Sequence, residues 1–219
     1  DSVASRGLGD VYKRQIFFRT VSSIVTLSEL SYEAAVKYCG DRDKVIKSKN
    51  WFDPTKFPFN EETETTIGYR FIYLGRLIPQ KGIERMIKAF YEIANDEDLL
   101  YIVGDGPERN RVQEFCLDER VVFTGTIAHD RVSHYLTQSH ALVFPTLNDV
   151  YGFPCLEALS CGLGVVVSNR AGIWKDIYTL PGVIVFEEDL TNALAQIRAT
   201  KPIREYVDLS AFHFTNVIE

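Results

Sequence analysis

From residue 69 onward, short apolar runs alternate with segments that repeat their apolar residues at helical spacing, and this alternation constrains the fold most strongly. The strand-sized runs are RFIYLG, LLYIVG, VVFTG, ALVFP, GVVVS and GVIVF. Helical spacing is clearest in GIERMIKAFYEI, where one face carries Ile83, Met86, Ile87, Phe90 and Ile93. Strands that alternate with helices predict parallel β-α-β units, and continuous apolar strands suit a sheet covered on both faces. The expected fold class is α/β, with a doubly wound parallel sheet.

Residues 1–15 differ in character from the rest of the chain. They read DSVASRGLGDVYKRQ and show neither apolar periodicity nor the core of a signal peptide. The stretch SRGLGDVYKRQ resembles the translation of a transposon-type sequencing adapter. We interpret residues 1–15 as a non-native scar, and we expect the natural protein to begin well upstream, as part of a longer chain.

Residues 16–60 precede the regular alternation, and we interpret them as the end of another domain and a linker. IVTL predicts a strand, and SELSYEAAVKYCG predicts a helix that Ser28 or Ser31 caps and Gly40 ends. An extended segment, VIKSKNW, follows.

The run FDPTKFPFNEETETT has the composition of a linker. It contains prolines and few packing residues in its first half, and then an acidic polar stretch. We therefore place a domain boundary near residues 53–66, and we assign residues 61–219 to the sheet domain.

The composition of the chain limits the classes of molecule that it is expected to bind. The chain has 219 residues, 46% of them hydrophobic, and a net charge of −6, so it can bury a sizeable core. No basic stripe is interleaved with aromatic residues, which argues against a nucleic acid polymer as partner. A small anionic ligand held by one or two cations stays open.

Cysteines and apolar runs indicate the compartment. The four cysteines form no CxxC pair and have no matching histidine spacing, which argues against zinc and against a disulfide framework. The longest apolar runs have the length of strands, far short of a membrane span. We expect a soluble protein of the reducing cytoplasm, with peripheral association at the membrane face left open.

The first loop of interest is GRLIPQKG. In a doubly wound sheet, ligands bind outside the carboxyl ends of the strands. Arg76 follows a strand directly, and Lys81 precedes the next helix. Two cations and a helix N-terminus suit a phosphate or diphosphate, because exposed amides and the helix dipole add to the charges. On this loop alone, the two residues could equally be surface cations at the ends of their elements.

The second loop, VGDGPERNR, places Gly104 and Gly106 between a strand and a helix. Glycine permits a tight turn and close approach of a ligand to the backbone. The steric demands of the turn alone would also explain the two glycines. The loop is not the dinucleotide pattern GxGxxG, because Arg109 occupies the third glycine position.

The third loop belongs to TLNDVYGFPCLEALSCGLG. Asp149 lies in the loop after ALVFP, and Glu157 falls about one turn into the following helix. The GFP between them can direct backbone amides into the crevice. Two carboxylates in one pocket could accept hydrogen bonds from hydroxyls of a sugar-bearing ligand. As isolated residues they could equally be a helix cap and an exposed helix charge.

These loops together resemble the carboxyl-terminal, donor-binding domain of family-4 (group 1) retaining glycosyltransferases of the GT-B fold. The segments that carry the resemblance are YLGRLIPQKGIERMIKAF, IVGDGPERNR, VVFTGTI and FPTLNDVYGFPCLEALSCGLGVVVSNRAG. It spans residues 69 to about 200. The family's two glutamates, separated by seven residues, appear here as D-VYGFPCL-E. The resemblance implies a Rossmann-like sheet, one half of a GT-B fold.

The resemblance also implies residue roles. Arg76 and Lys81 would neutralise the donor's diphosphate without a metal ion. Glu157 would bind the nucleotide ribose, and Asp149 the hydroxyls of the donor sugar. The other expected donor-binding positions, mostly through backbone, are Gly75, Gly104, Thr126, Ile127, Gly152, Phe153, Pro154, Cys155 and Leu156. Thr126 and Ile127 would lie near the base. The donor is a substrate, and no cofactor is implied.

Several positions depart from the family pattern. Asp149 is one methylene shorter than the usual glutamate, so it would draw the sugar deeper or reach it through water. Gly164 replaces a proline, and Trp51 stands where glycine is common. The segment GG-x-P-E appears as AGIWKD, in which Asp176 could replace the acidic residue, with Lys175 also in range.

The implied activity is transfer of a sugar from a nucleotide-diphosphate donor to a glycan, lipid or small-molecule acceptor, with retention, in glycan biosynthesis. The expected enzyme class is a hexosyltransferase. Acceptor-side residues would lie upstream, so we expect this stretch alone to bind donor but to transfer poorly. The alternatives are a non-catalytic nucleotide-sugar-binding module and an epimerase or phosphorylase of GT-B architecture.

Other polar signals favour structural roles. D41-R-D43 and D96-E-D98 match the DxD metal motif of the other major glycosyltransferase fold, but both fall at polar turns, where solvated residues are the better interpretation. Cys155 and Cys161 are expected to fill small apolar spaces. The histidines show no mutual metal spacing: His129, His134, His140 and His213.

Overall fold

The N-terminal part of the structure is a β-α-β unit. The computed structural model describes residues 18, 20–48, 51–59, 67–200 and 206–212. The unit consists of β1 (Ile24–Thr26), α1 (Glu29–Cys39) and β2 (Val45–Lys47), with the strands parallel. Both predicted caps take part, because the Ser28 hydroxyl accepts from the Ser31 amide and the Ser31 hydroxyl accepts from the Ser28 amide. Gly40 ends α1 in the left-handed conformation, with φ of 72°.

The six apolar runs after residue 69 all form strands of one parallel sheet. They are β3 (Arg70–Leu74), β4 (Leu99–Val103), β5 (Val121–Gly125), β6 (Ala141–Phe144), β7 (Gly164–Ser168) and β8 (Val183–Phe186). Their order across the sheet is β5-β4-β3-β6-β7-β8, and every neighbouring pair is parallel. The chain starts in the middle, runs to one edge, returns and runs to the other. This is the strand order of a doubly wound dinucleotide-binding sheet. The predicted fold class is confirmed.

Helices connect these strands and cover both faces. They are α2 (Ile83–Ile93), α3 (Arg109–Gln113), α4 (Val132–Thr137), α5 (Phe153–Ser160), α6 (Trp174–Ile177) and α7 (Leu190–Ala199). Short 3-10 turns lie at Arg42–Lys44, Pro54–Lys56, Pro79–Lys81, His129–Arg131 and Ser210–Phe212. No helix within the described ranges has both the length and the apolar composition that crossing a membrane requires.

The core lies on both sides of β3, whose side chains alternate between the faces. Phe71 and Tyr73 pack with residues of α2 and α7, whereas Ile72 and Leu74 pack with residues of α5. Three of these four side chains are fully buried, and Leu74 is 5% exposed. Burial of each such side chain contributes about 1.5 to 3 kcal/mol, so β3 is a fixed base for the loop that follows it.

The first half of the predicted linker is packed, which corrects the sequence-based interpretation. Phe52 and Phe57 are 5% and 4% exposed and belong to the core cluster on the α5 side of the sheet. The Ser160 hydroxyl donates to the Phe57 carbonyl at 2.6 Å. The aromatic residues around the prolines anchor this segment against α5. The predicted scar at residues 1–15 and the acidic half of the linker lie outside the described residues.

Asp98 is also not the solvated turn residue that its DxD context predicted. Its side chain is 1% exposed, and it pairs with Arg198 at 2.8 Å. The amides of Tyr69 and Asn95 donate to its two carboxylate oxygens at 2.7 and 2.8 Å. Burial alone would raise the pKa of Asp98, but these amides and the guanidinium hold the pKa below its ordinary value. Asp98 therefore joins β3 to α7 at the end of the sheet remote from the predicted site.

Candidate active site

The strand order reverses between β3 and β6, and the loops after these two strands carry the predicted charged residues. β3 and β6 are neighbours in the sheet although β4 and β5 separate them along the chain. Ligands of doubly wound sheets bind outside the carboxyl ends of the strands at such a reversal. Arg76 and Lys81 follow β3, and Asp149 follows β6. Glu157 lies in the second turn of α5, which begins directly after the second loop.

A cavity of about 310 Å³ opens beside this reversal, outside the ends of β3, β4 and β5. Its lining comprises Leu74, Gly75, Arg76, Val103, Gly104, Asp105, Thr126, Ile127, Val132, Pro154 and Glu157. Seven of these were singled out from the sequence: Gly75, Arg76, Gly104, Thr126, Ile127, Pro154 and Glu157. The structure therefore brings one predicted cation and one predicted carboxylate to the same cavity.

Glycine is required where the first two loops meet. Gly104 has φ of 134°, and a Cβ built there would lie 2.0 Å from the carbonyl oxygen of Gly75. The Gly75 amide in turn donates to the carbonyl of Val103 at 3.0 Å. The steric explanation of Gly104 is thus correct, and the same close contact of backbones forms part of the cavity wall.

Arg76 is exposed at this cavity. None of the ion pairs among the described residues involves its guanidinium. Asp105, which also lines the cavity, is paired instead with Arg109 at 2.9 Å. A positive charge without a protein counter-ion is therefore available to an anionic ligand in the cavity.

Glu157 contributes a carboxyl whose ionisation is suppressed. Burial raises its pKa from 4.5 to about 7. Near neutral pH both forms are populated, so the group can accept hydrogen bonds from hydroxyls or donate one. Carboxyls shifted this far in a cleft are typical of functional sites, although structural burial produces the same shift.

Lys81 and Asp149 form an ion pair with each other across the loops after β3 and β6, and neither residue lines the cavity. The Lys81 ammonium contacts Oδ2 of Asp149, and the two side chains are only 17% and 16% exposed. The ammonium also lies 5.3 Å from the ring centroid of Phe144. Oδ1 of Asp149 accepts from the Tyr151 amide at 3.1 Å. Both carboxylate oxygens have protein partners, so a sugar hydroxyl would have to share them.

The start of α5 corrects part of the predicted backbone site. Gly152 precedes the helix with φ of 124°, and no side chain caps it. The Cys155 amide, expected to face the ligand, donates to the Gly152 carbonyl at 3.0 Å. Cys155 and Leu156 are fully buried on the core side of the helix. The amides of Gly152 and Phe153 open the helix, where backbone N–H groups lack intrahelical acceptors.

Asp176 and Lys175 are not among the residues that line the cavity, and the replacement of the family's acidic residue by Asp176 stays a prediction. Lys175 pairs with Glu33 of α1 at 2.6 Å, and Asp176 contacts Lys47 of β2 at 3.4 Å. Both side chains face the N-terminal unit. They are directed there because α6 packs against α1.

Sequence reasoning missed Arg85, which joins the two charged loops. Its Nε and Nη2 donate to the Pro145 carbonyl at 3.0 and 2.6 Å. Its guanidinium lies 5.2 Å from the ring centroid of Phe186. Nearby, the Gln80 carbonyl accepts from the Leu147 amide at 2.7 Å. No local signal could have identified Arg85, because an arginine in a helix ordinarily indicates a solvated face.

Comparison with known proteins agrees with this architecture. Residues 68–199 match the sequence model of the family described as glycosyl transferases group 1. An uncharacterized glycosyltransferase of Methanocaldococcus jannaschii is 28% identical over 205 residues, which cover 84% of this chain and 53% of that protein. One of the subunits of human phosphatidylinositol N-acetylglucosaminyltransferase is 29% identical, over 87% of this chain and 45% of that protein.

Among solved structures, an Anabaena protein, HepE, in complex with UDP-glucose shares the fold with a TM-score of 0.69. It is 20% identical, and the match covers 83% of this chain and 54% of that one. The chain spans about half the length of the curated relatives described above. The family match covers more than half of the chain, and the fold is the one that this match requires. The chain belongs to the group 1 glycosyl transferases.

Proposed function

We propose that the chain binds a nucleotide-diphosphate sugar in the cavity beside the strand reversal and serves a retaining, metal-independent hexosyltransferase. The acceptor would be a glycan, a lipid or a small molecule. The observation that carries the proposal is the meeting of Arg76 and Glu157 in one cavity. The Lys81–Asp149 pair on the adjoining loops adds a second cation nearby.

The positive groups would stabilise the leaving nucleoside diphosphate. Cleavage of the sugar–phosphate bond places negative charge on the departing oxygen, and charges already in position stabilise it without reorganisation. Arg76 and the N-terminus of α5 are available for this, whereas Lys81 would have to share its charge with Asp149. Loss of one such group typically costs about a hundredfold or more in rate.

The remaining lining suits the nucleoside. Neighbouring strands lie about 4.8 Å apart, so the ends of β3 and β5 are about 10 Å apart. That distance accommodates a nucleoside whose diphosphate lies near Arg76 and whose base lies near Thr126 and Ile127. The Glu157 carboxylate would accept hydrogen bonds from ribose hydroxyls.

The similar proteins support the donor and one kind of acceptor. The Anabaena structure contains UDP-glucose, which supports a nucleotide-sugar donor. The human relative is named as part of a phosphatidylinositol N-acetylglucosaminyltransferase, which supports a lipid among the candidate acceptors. A non-catalytic nucleotide-sugar-binding module is the second candidate. The observation that favours it is Asp149, whose carboxylate is occupied by protein partners.

Isothermal titration calorimetry tests the proposal. The full chain is titrated with UDP, GDP, ADP and UDP-glucose, and Arg76→Ala and Glu157→Ala are compared with Arg111→Ala. Arg111 is exposed and pairs with Glu84 outside the cavity, so its loss should leave affinity unchanged. We expect wild type to bind at least one nucleotide, and each cavity variant to bind it more than about tenfold more weakly.

Two outcomes would contradict the proposal. One is folded wild-type protein that binds none of these ligands. The other is inorganic pyrophosphate binding as tightly as the best nucleotide. Sugar transfer or donor hydrolysis by a longer chain that contains this stretch would separate the transferase from the binding module.

A further inference from the structure

Tyr73 places a buried hydroxyl directly beneath the loop that carries Arg76. The residue lies near the end of β3, and its side chain is fully buried against α2. Its hydroxyl donates to the carbonyl oxygen of Arg76 at 2.9 Å. Burial raises the pKa of Tyr73 well above its ordinary value, so the hydroxyl keeps its proton at neutral pH. A phenylalanine would fill the same space without the cost of burying a polar group.

The chain on both sides of Arg76 is anchored to β4 and the loop after it. The Gly75 amide donates to the Val103 carbonyl at 3.0 Å, and the Leu77 amide donates to the Asp105 carbonyl at 2.9 Å. The Leu77 amide and the Arg76 carbonyl belong to the same planar peptide, so the Asp105 carbonyl already holds its N–H. The Tyr73 hydroxyl holds the carbonyl on the other side of this peptide, and the two contacts together orient the backbone from which the guanidinium extends.

The local backbone makes room for this contact. Gly75 has φ of 150°, and a Cβ built there would lie 2.8 Å from the Tyr73 hydroxyl oxygen. Glycine at residue 75 therefore lets the hydroxyl pass under the turn to the carbonyl of the next residue. The Arg76 carbonyl also accepts from the Ile78 amide at 3.2 Å, so it keeps one partner if the hydroxyl is removed.

We infer that Tyr73 is a positioning residue that fixes the Arg76 peptide and thereby holds the guanidinium at the cavity for the diphosphate. This inference rests on the proposed function, in which Arg76 binds the donor. Tyr73 does not touch the ligand. Its contribution to binding should therefore exist only while the Arg76 side chain is present.

The same strand offers a matched control at its other end. Tyr69 immediately precedes β3, is 8% exposed, and donates its hydroxyl to the backbone carbonyl of Ile197 at 3.2 Å. Tyr69→Phe and Tyr73→Phe thus remove the same buried group from the same kind of acceptor. Only Tyr73→Phe removes it beside the cavity.

The experiment measures affinity and thermal unfolding for wild type, Tyr73→Phe, Tyr69→Phe, Arg76→Ala and the double variant Tyr73→Phe/Arg76→Ala. The probe is whichever of UDP, GDP and ADP binds wild type most tightly. We expect both tyrosine variants to fold and to lose similar thermal stability. Tyr73→Phe should weaken binding about three- to tenfold, the value of one hydrogen bond, while Tyr69→Phe leaves it unchanged. In the Arg76→Ala background, Tyr73→Phe should weaken binding no further.

Equal affinity of Tyr73→Phe and wild type would overturn the inference and leave the proposed function intact. The same fold loss with and without the Arg76 side chain would also overturn it, because the hydroxyl would then act on the cavity generally. If folded wild type binds none of the three nucleotides, the proposed function and the inference fall together.

Discussion

Replacement of Glu157 by glutamine should stabilise the protein at alkaline pH and weaken its nucleotide binding. In the native state burial raises the pKa of Glu157 to about 7, against 4.5 for the free side chain. The native protein therefore retains a proton between these two values that the unfolded chain releases. Stability contributed by this group is full below pH 4.5 and is lost as the pH rises through 7.

The size of the effect follows from the displaced pKa. Each pKa unit corresponds to about 1.36 kcal/mol, so complete ionisation of the buried group costs about 3 kcal/mol. The side chain is partly exposed, and solvent reduces this cost, so we expect about 2 kcal/mol between pH 5 and pH 8. Glutamine has nearly the same shape and never ionises. The stability of Glu157→Gln relative to wild type should rise by that amount over this interval.

The nucleotide affinity of the wild type should increase with pH, whereas its stability decreases. The carboxylate accepts hydrogen bonds from ribose hydroxyls in the proposed complex, so wild-type affinity should increase as the pH rises from 5.5 to 8. Below pH 7 the ionised fraction falls about tenfold per pH unit, which sets the limiting slope. Glu157→Gln should bind more weakly at pH 8 and show little dependence on pH.

Urea unfolding at pH 5, 6, 7 and 8 measures the first effect, and titration with the best nucleotide at the same values measures the second. Glu119→Gln is the control, because Glu119 is exposed and remote from the cavity. Parallel stability profiles of Glu157→Gln and wild type across this range would refute the burial argument. Unchanged affinity at pH 8 would refute the ribose contact.

Three further substitutions test the framework around the cavity. Arg85→Met keeps the side-chain volume but removes both hydrogen bonds to the Pro145 carbonyl. Urea unfolding should therefore show a loss of about 1 to 3 kcal/mol in the free energy of unfolding, together with weaker nucleotide binding. Unchanged affinity would mean that the two loops are held without Arg85. Gly104→Ala would place a Cβ 2.0 Å from the Gly75 carbonyl oxygen, so we expect a lower Tm and loss of nucleotide binding. A variant with the wild-type Tm would show that the loops after β3 and β4 can separate freely. Asp98→Asn should lower the free energy of unfolding by about 2 to 4 kcal/mol at pH 7 without altering nucleotide affinity. The difference from wild type should shrink in acid, because the pKa of Asp98 is lowered in the native state and its stabilisation is lost as the pH falls through that value. A constant difference from pH 7 to acid would contradict the ion-pair explanation.

Where sequence reasoning succeeded, the signal was local. ALVFP and GVVVS became β6 and β7, and the GIERMIKAFYEI segment became α2, with four of the five residues of its predicted face buried and Ile93 partly buried. The spacing of apolar residues can be read from neighbouring positions, and it predicts whether a helix or a strand buries them on one face. Composition gave a wrong prediction where a segment packs against residues far away in the chain. Phe52 and Phe57 looked like part of a linker because the α5 surface that buries them lies about 100 residues away, as the Ser160 contact shows.

The candidate site shows the same division. The residues after each strand end were identifiable because a parallel sheet directs those loops to one edge, and the structure brings Arg76 and Glu157 to one cavity there. The partner of Lys81 was not identifiable. Asp149 is 68 positions away, and the two residues meet only because β3 and β6 are neighbours. Tyr73 was equally hidden, since a tyrosine in a buried strand is indistinguishable by pattern from a core aromatic.

Local patterns were enough to predict the strands, the helices and the loops of the sheet domain, because periodicity and turn chemistry act over a few residues. They could not show which loops adjoin, which charges neutralise one another and which cation is available to a ligand. Those outcomes depend on strand order and on packing between residues far apart in the chain, and no local pattern records them.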